Sequence, residues 1–122
     1  MVANRSTSYP RLVDLPTGDA ERVLALDCAR LMVPDGPIPL QGVAHRRFVE
    51  LSAALLAEVA PSVVVMPLFS ADQDAMAVIE ALEGMGFKGR ILVIAPALPR
   101  PALVERELRA AGPGERLTLV TP

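Results

Sequence analysis

The residues able to do chemistry in this chain are few, and most of them stand singly. Asp72 and Asp74 fall within the stretch Ser70-Ala71-Asp72-Gln73-Asp74, and two carboxylates so close can act as a pair in proton transfer or hold Mg²⁺, with Asp27 as a third ligand if the fold brings it near. Both also fall in the first turn of an expected helix, where the macrodipole favours negative charge without any ligand. The structural role is the preferred one. His45 is the only histidine and lies beside Arg46 and Arg47; with no acid or nucleophile in a motif around it, it reads as a solvated surface group. Cys28 is the only cysteine, which excludes an intrachain disulfide and a cysteine-rich metal site and leaves a small buried hydrophobe. Ser70 has no G-x-S-x-G elbow around it and reads as a helix cap. No G-x-G-x-x-G follows a strand to open a helix, and no phosphate-binding P-loop occurs. No catalytic residue, no metal site and no cofactor is expected.

The elements that must position these residues are organised around Pro61–Ser70. Its core, Val63-Val64-Val65-Met66, is apolar without polar alternation, the pattern of a strand covered on both faces of a sheet. Ile91–Ala95 repeats that pattern and Leu117–Val120 gives a last strand, while Arg22–Asp27 forms the first, with a possible extension to Val33. Between them the apolar stripe Phe48, Leu51, Leu55, Leu56 and Val59 predicts a helix from about Val43 to Ala60, ended by Pro61. Ser70 and Gln73 match a capping box for a second helix, with Ala75, Val78, Ile79 and Leu82 facing inward. Pro101 at N1 opens a third, in which Glu105 and Arg109 are spaced to pair at i,i+4. Pro34-Asp35-Gly36 is a turn, and Ile38-Pro39-Leu40 a short edge strand, since its prolines lack ladder donors. Residues 1–20 read as a loosely structured arm with one short strand at 11–15, and residues 21–122 as a single α/β domain.

In such a sheet, ligands gather where strands end and helices begin. That rule marks Phe69, Ser70, Asp72, Asp74, Pro96 and Arg100 as the candidate ligand pocket. Partners are bounded by charge and composition. The net charge is −2 and the basic residues are scattered, so no footprint for nucleic acid or an anionic membrane is present. No apolar run approaches the roughly 18 residues of a transmembrane helix, and no secretory h-region is seen. A reducing, cytoplasmic setting is the simplest expectation.

From about Leu51 to Pro122 the chain resembles the receiver domain of bacterial response regulators. The family's helix-to-strand signature is close to ALxxxxPDLVLLD, and this chain reads ALLAEVAPSVVVMP from Ala54 to Pro67. The family's Asp-Gly after the phosphoacceptor is echoed by Asp74-Ala75, its PVIxLTA strand by RILVIAP, and its late AGA and Lys-Pro by Ala110-Ala111-Gly112 and Val120-Thr121-Pro122. The resemblance implies a three-layer α/β sandwich of the flavodoxin or receiver kind: a mainly parallel sheet of about five strands, with a hairpin-like N-terminal edge. It also implies loss of phosphoryl chemistry. The phosphoacceptor falls on Pro67, the switch Ser/Thr on Ala95 and the lysine on Thr121, and Asp27 alone remains of the acidic pair that holds Mg²⁺. A carboxylate nucleophile is missing, so no aspartyl phosphate can form there. A second, lesser resemblance is to the anti-sigma-factor antagonist (STAS) domain, in the order of strands and helices, although that family's Asp-Ser-Ser motif is absent.

The expected function is therefore that of a pseudo-receiver, a non-catalytic signalling domain working by contact with a partner protein or a second copy. A last strand with no following helix to cover it suggests an interface at Glu105, Arg106, Arg109, Leu117 and Leu119. The alternative is a small enzyme or ligand-binding protein using the loops Phe69–Asp74 and Pro96–Arg100, with no ligand specified by the sequence.

Overall fold

The computed structural model describes residues 22–28, 43–70 and 74–122. The expected arm at 1–20, its strand at 11–15, the extension to Val33, the turn at 34–36 and the strand at 38–40 lie outside these residues, as does Asp72. Five strands are described: β1 (Val23–Leu26), β2 (Val43–Arg46), β3 (Val63–Pro67), β4 (Arg90–Ile94) and β5 (Leu117–Val120). They form one sheet in the order β2-β1-β3-β4-β5, with every pair parallel. With the helices α1 (Ala53–Val59), α2 (Ala75–Gly84) and α3 (Pro101–Arg109) this is the expected flavodoxin-like α/β arrangement.

The apolar runs that predicted central strands are central. Val63 through Met66 are fully buried, and Ile91 through Ile94 are at most 4% exposed. Alternate residues go to opposite faces. Leu24, Leu26, Val64, Met66, Ile91, Val93 and Leu117 join Leu55 of α1, Val78, Ile79 and Leu82 of α2 and Leu108 of α3 in one cluster. Val23, Ala25, Val63, Val65, Leu92, Ile94 and Val120 form the second with Cys28.

The N-terminal third departs from expectation. Residues 43–46, expected as the head of a helix, are an edge strand in parallel register with β1, Val23 opposite Val43 and Leu26 opposite Arg46. The strand flanking β1 among the described residues is therefore parallel to it. A single 3₁₀ turn at Phe48–Glu50 follows, closed by the Arg47 N–H donating to Glu50 Oε1 at 2.8 Å. The α-helix begins only after Ser52, whose Oγ accepts from the Leu55 N–H at 3.1 Å. Tertiary pairing with β1 outweighed the helical periodicity. The stripe itself was sound: Phe48 and Leu55 are core, with Leu51, Leu56 and Val59 packed against it.

The second helix also starts later than expected. Asp74, not Ser70, is its N-cap, with Oδ1 accepting from the Met76 N–H at 3.3 Å. An aspartate there satisfies an orphan N–H and meets the positive end of the helix dipole. Pro101 does open α3, as its preset φ suits.

Gly89 precedes β4 where two strand entries nearly touch. A Cβ there would collide with the Ser62 carbonyl and the Phe87 ring, while the Arg90 N–H donates to that same carbonyl at 2.9 Å. Only glycine fits.

Candidate functional site

The strand order reverses between β1 and β3, so the crevice expected to hold chemistry lies at the carboxyl ends of these two strands. Asp27 and Cys28 leave β1 there. Asp27 adopts a left-handed backbone, φ 53°, with its N–H donating to the Arg46 carbonyl at 2.9 Å. Its Oδ2 is buried with no hydrogen-bond partner among the described residues. Cys28 is 3% exposed, and its Sγ donates to the carbonyls of Leu26 at 3.3 Å and Val65 at 3.5 Å. Burial first, and then the neighbouring Asp27 charge, push its pKa up to about 12, against a smaller opposing hydrogen bond to Leu26. A thiol so held stays protonated and is no nucleophile.

The three other strand ends at which receiver chemistry would sit carry Pro67, Ala95 and Thr121. Pro67 is the last residue of β3 and half-buried, Ala95 is buried beyond β4, and Thr121 follows β5. None has a carboxylate or an ammonium group. His45 is not the solvated group its sequence context suggests. Both ring nitrogens are buried without a hydrogen-bond partner among the described residues, and burial, followed by the Arg46 charge, lowers its pKa.

The predicted pocket residues within the described chain are spread over two loops at this end of the sheet, one before α2 and one before α3. Phe69 stands 67% exposed, Asp74 is spent on the α2 cap, and Ser70 is half-buried and engaged. Pro96 is exposed, and Arg100 is the N-cap residue of α3 without a side-chain cap bond. Among the described residues no hydrogen bond or ion pair joins Asp74 to Arg100, and no group of three His, Cys, Asp or Glu side chains is poised for a metal. Also among the described residues, no helix is long and apolar enough to cross a membrane.

A cleft of about 520 Å³ lies instead at the opposite end, where α1 and α2 finish and β3 and β4 begin. Leu56, Ala60, Pro61, Met85 and Phe87 line it, with Lys88 as its charged member. Sequence reasoning missed it.

The predicted interface residues divide into three kinds. Leu117 is fully buried core, Arg106 is exposed, and Glu105 and Arg109 are turned onto the edge of β5. Glu105 Oε2 accepts from the Leu119 N–H at 2.8 Å, and Arg109 Nε donates to the Leu117 carbonyl at 2.9 Å. The two also form the expected i,i+4 ion pair at 3.7 Å. The edge that looked bare in the sequence is held by side chains of α3.

Compared with known proteins, the chain matches no family model, no curated protein and no solved structure.

Proposed function

We propose that this is a non-catalytic signalling domain of the pseudo-receiver kind, acting through contact with a protein partner or a second copy in a cytoplasmic setting. One observation carries the reading. The strand ends that would need a nucleophile and a charge to steady a phosphoryl group hold Pro67, Ala95 and Thr121, while large apolar side chains stand in solvent at the same end of the sheet, Phe69 at 67% and Val49 at 66% exposure. Chemistry is missing and exposed apolar surface is present, which favours recognition over catalysis. The receiver-like order of elements from α1 onward supports the family assignment, and the lesser STAS resemblance ranks behind it.

The test is sedimentation of the full chain at low and high concentration beside a Phe69→Glu variant. A concentration-dependent dimer that the variant weakens at least tenfold supports the reading in its second-copy form. A wild type that stays monomeric, with Phe69→Glu indistinguishable from it, removes that form.

A further inference from the structure

We propose that α3 is a guard on the sheet: Glu105 and Arg109 occupy, within the chain, the backbone groups of β5 that a strand of a second copy would pair with, and so hold the chain back from edge-to-edge association. β5 is the last strand in the order, so among the described residues one side of it has no strand neighbour. The side facing β4 is served by residues such as Val120, whose carbonyl accepts from the Ala95 N–H at 2.9 Å. Because a strand residue points its N–H and C=O to the same side and alternates with its neighbours, Leu117 and Leu119 present theirs outward.

Three of these four outward groups are taken. The Leu117 N–H donates to the Gly114 carbonyl, the Leu117 carbonyl accepts from Arg109 Nε, and the Leu119 N–H donates to Glu105 Oε2. A carboxylate acceptor beside a guanidinium donor reproduces the acceptor and donor rhythm of a neighbouring strand, with the added strength of charge. Their own ion pair fixes the two relative to each other. The strand needs such protection because Leu117-Thr118-Leu119-Val120 contains none of the charge, proline or bulge by which edge strands usually protect themselves. Short, uncharged and apolar, it can pair antiparallel with itself across a two-fold axis. The other edge shows a related device, in which Arg46 Nη1 donates to the carbonyl of His45 at 2.8 Å.

Hydrogen exchange at the Leu119 amide and sedimentation of the full chain test the guard together. In Glu105→Ala the Leu119 amide should exchange at least about tenfold faster than in the wild type, while Arg106→Ala, on the same helix but exposed, should leave it unchanged. The Glu105→Ala, Arg109→Ala double variant should associate with rising concentration, and adding Thr118→Lys should return it to the parent state. All species are compared in a Phe69→Glu background, so that association through the loops cannot mimic association through β5. An unchanged Leu119 exchange rate in Glu105→Ala, or a natively folded double variant that does not associate, overturns the proposal. If circular dichroism shows the double variant unfolded, Glu105→Met decides: it keeps the bulk of the side chain but removes the acceptor, and a Leu119 rate no faster than wild type counts against the guard.

Discussion

Replacing Arg116 should cost well more than an ordinary change at the surface of this fold. Arg116 ends the 3₁₀ turn (Gly114–Arg116) that delivers the chain into β5, and its guanidinium is used on both sides. Nη2 donates to Glu83 Oε1 at 2.9 Å and Oε2 at 2.8 Å, and Nη1 donates to the carbonyls of Phe87 at 3.2 Å and Gly89 at 2.9 Å. One side chain thus ties β5 to the end of α2 and to the turn before β4. A hydrogen bond to a charged group contributes about 1.5–3 kcal/mol, but an exposed ion pair only about 0–1. The Arg116 and Glu83 side chains are 28% and 20% exposed, so each bond must be discounted for water that can replace it. Arg116→Ala then costs about 2–4 kcal/mol, most of it from the two carbonyls and the stranded carboxylate. Urea denaturation at constant pH measures the loss. Arg116→Lys should recover less than half, because an ammonium cannot make the fork and reach the carbonyls together. A double-mutant cycle with Glu83→Ala should leave a coupling of about 1–2 kcal/mol. A loss under about 0.5 kcal/mol for Arg116→Ala, or a lysine variant as stable as wild type, would refute the lock.

Three further outcomes are expected. Val64 and Ile94 sit in the two central strands at 0% and 4% exposure, so Val64→Ala or Ile94→Ala should lower stability by about 2–4 kcal/mol in denaturant melts, and a loss below about 1 would contradict their packing. Incubation with acetyl phosphate and Mg²⁺ should leave the intact mass unchanged, since Pro67, Ala95 and Thr121 offer neither nucleophile nor charge; a stable adduct on Asp27, Asp72 or Asp74 would count against the pseudo-receiver reading. His45 should make stability sensitive to acid. Its folded pKa is lowered below the ordinary 6.5 by burial and then by Arg46, so the contribution is whole above pH 6.5 and is lost as pH falls from there through the folded value. As the only histidine, it can be isolated by comparing wild type with His45→Gln at pH 7.5 and pH 5.5. An equal acid loss in both proteins would show that the imidazole is not responsible.

What could be read from the sequence was whatever the local pattern decides. β3 and β4 were legible because an unbroken β-branched run has no stable place except a strand covered on both faces. The start of α3 was legible because Pro101 fits only the first turn of a helix. β2 was not, because Val43-Ala44-His45-Arg46 has no strand pattern of its own. Its conformation comes from pairing with β1, whose residues are 20 positions away in register. The α2 cap was misplaced for a different reason: Ser70 and Asp74 both have capping side chains, and only the path of the chain out of β3 chooses between them. Of the candidate site, the residue types at 67, 95 and 121 were visible, none of them with a carboxylate or an ammonium group. The partial burial of His45 was hidden, since an imidazole followed by two solvent-loving arginines looks exposed until the strand is known. The Arg116 lock was equally hidden, with partners 27 to 33 residues away.

Glu105 and Arg109 show how one correct local reading can support a wrong larger one. Their spacing predicted an ion pair and the pair exists, yet a partly exposed i,i+4 pair by itself contributes only about 0.3–0.5 kcal/mol and says nothing about the strand beside it. Set against β5, the same two side chains supply an acceptor and a donor to backbone groups that would otherwise recruit another strand. Any partner approaching from this side must therefore either bind side chains, such as the exposed Arg106 and Glu107, or first break two charge-assisted hydrogen bonds. The carboxyl ends of the strands impose no such toll, since Phe69 and Val49 are already out in solvent. Under the proposed function, recognition at the loops and closure at the edge are complementary: the exposed apolar side chains leave one surface open to a shaped partner, while α3 shuts the one that would bind any strand.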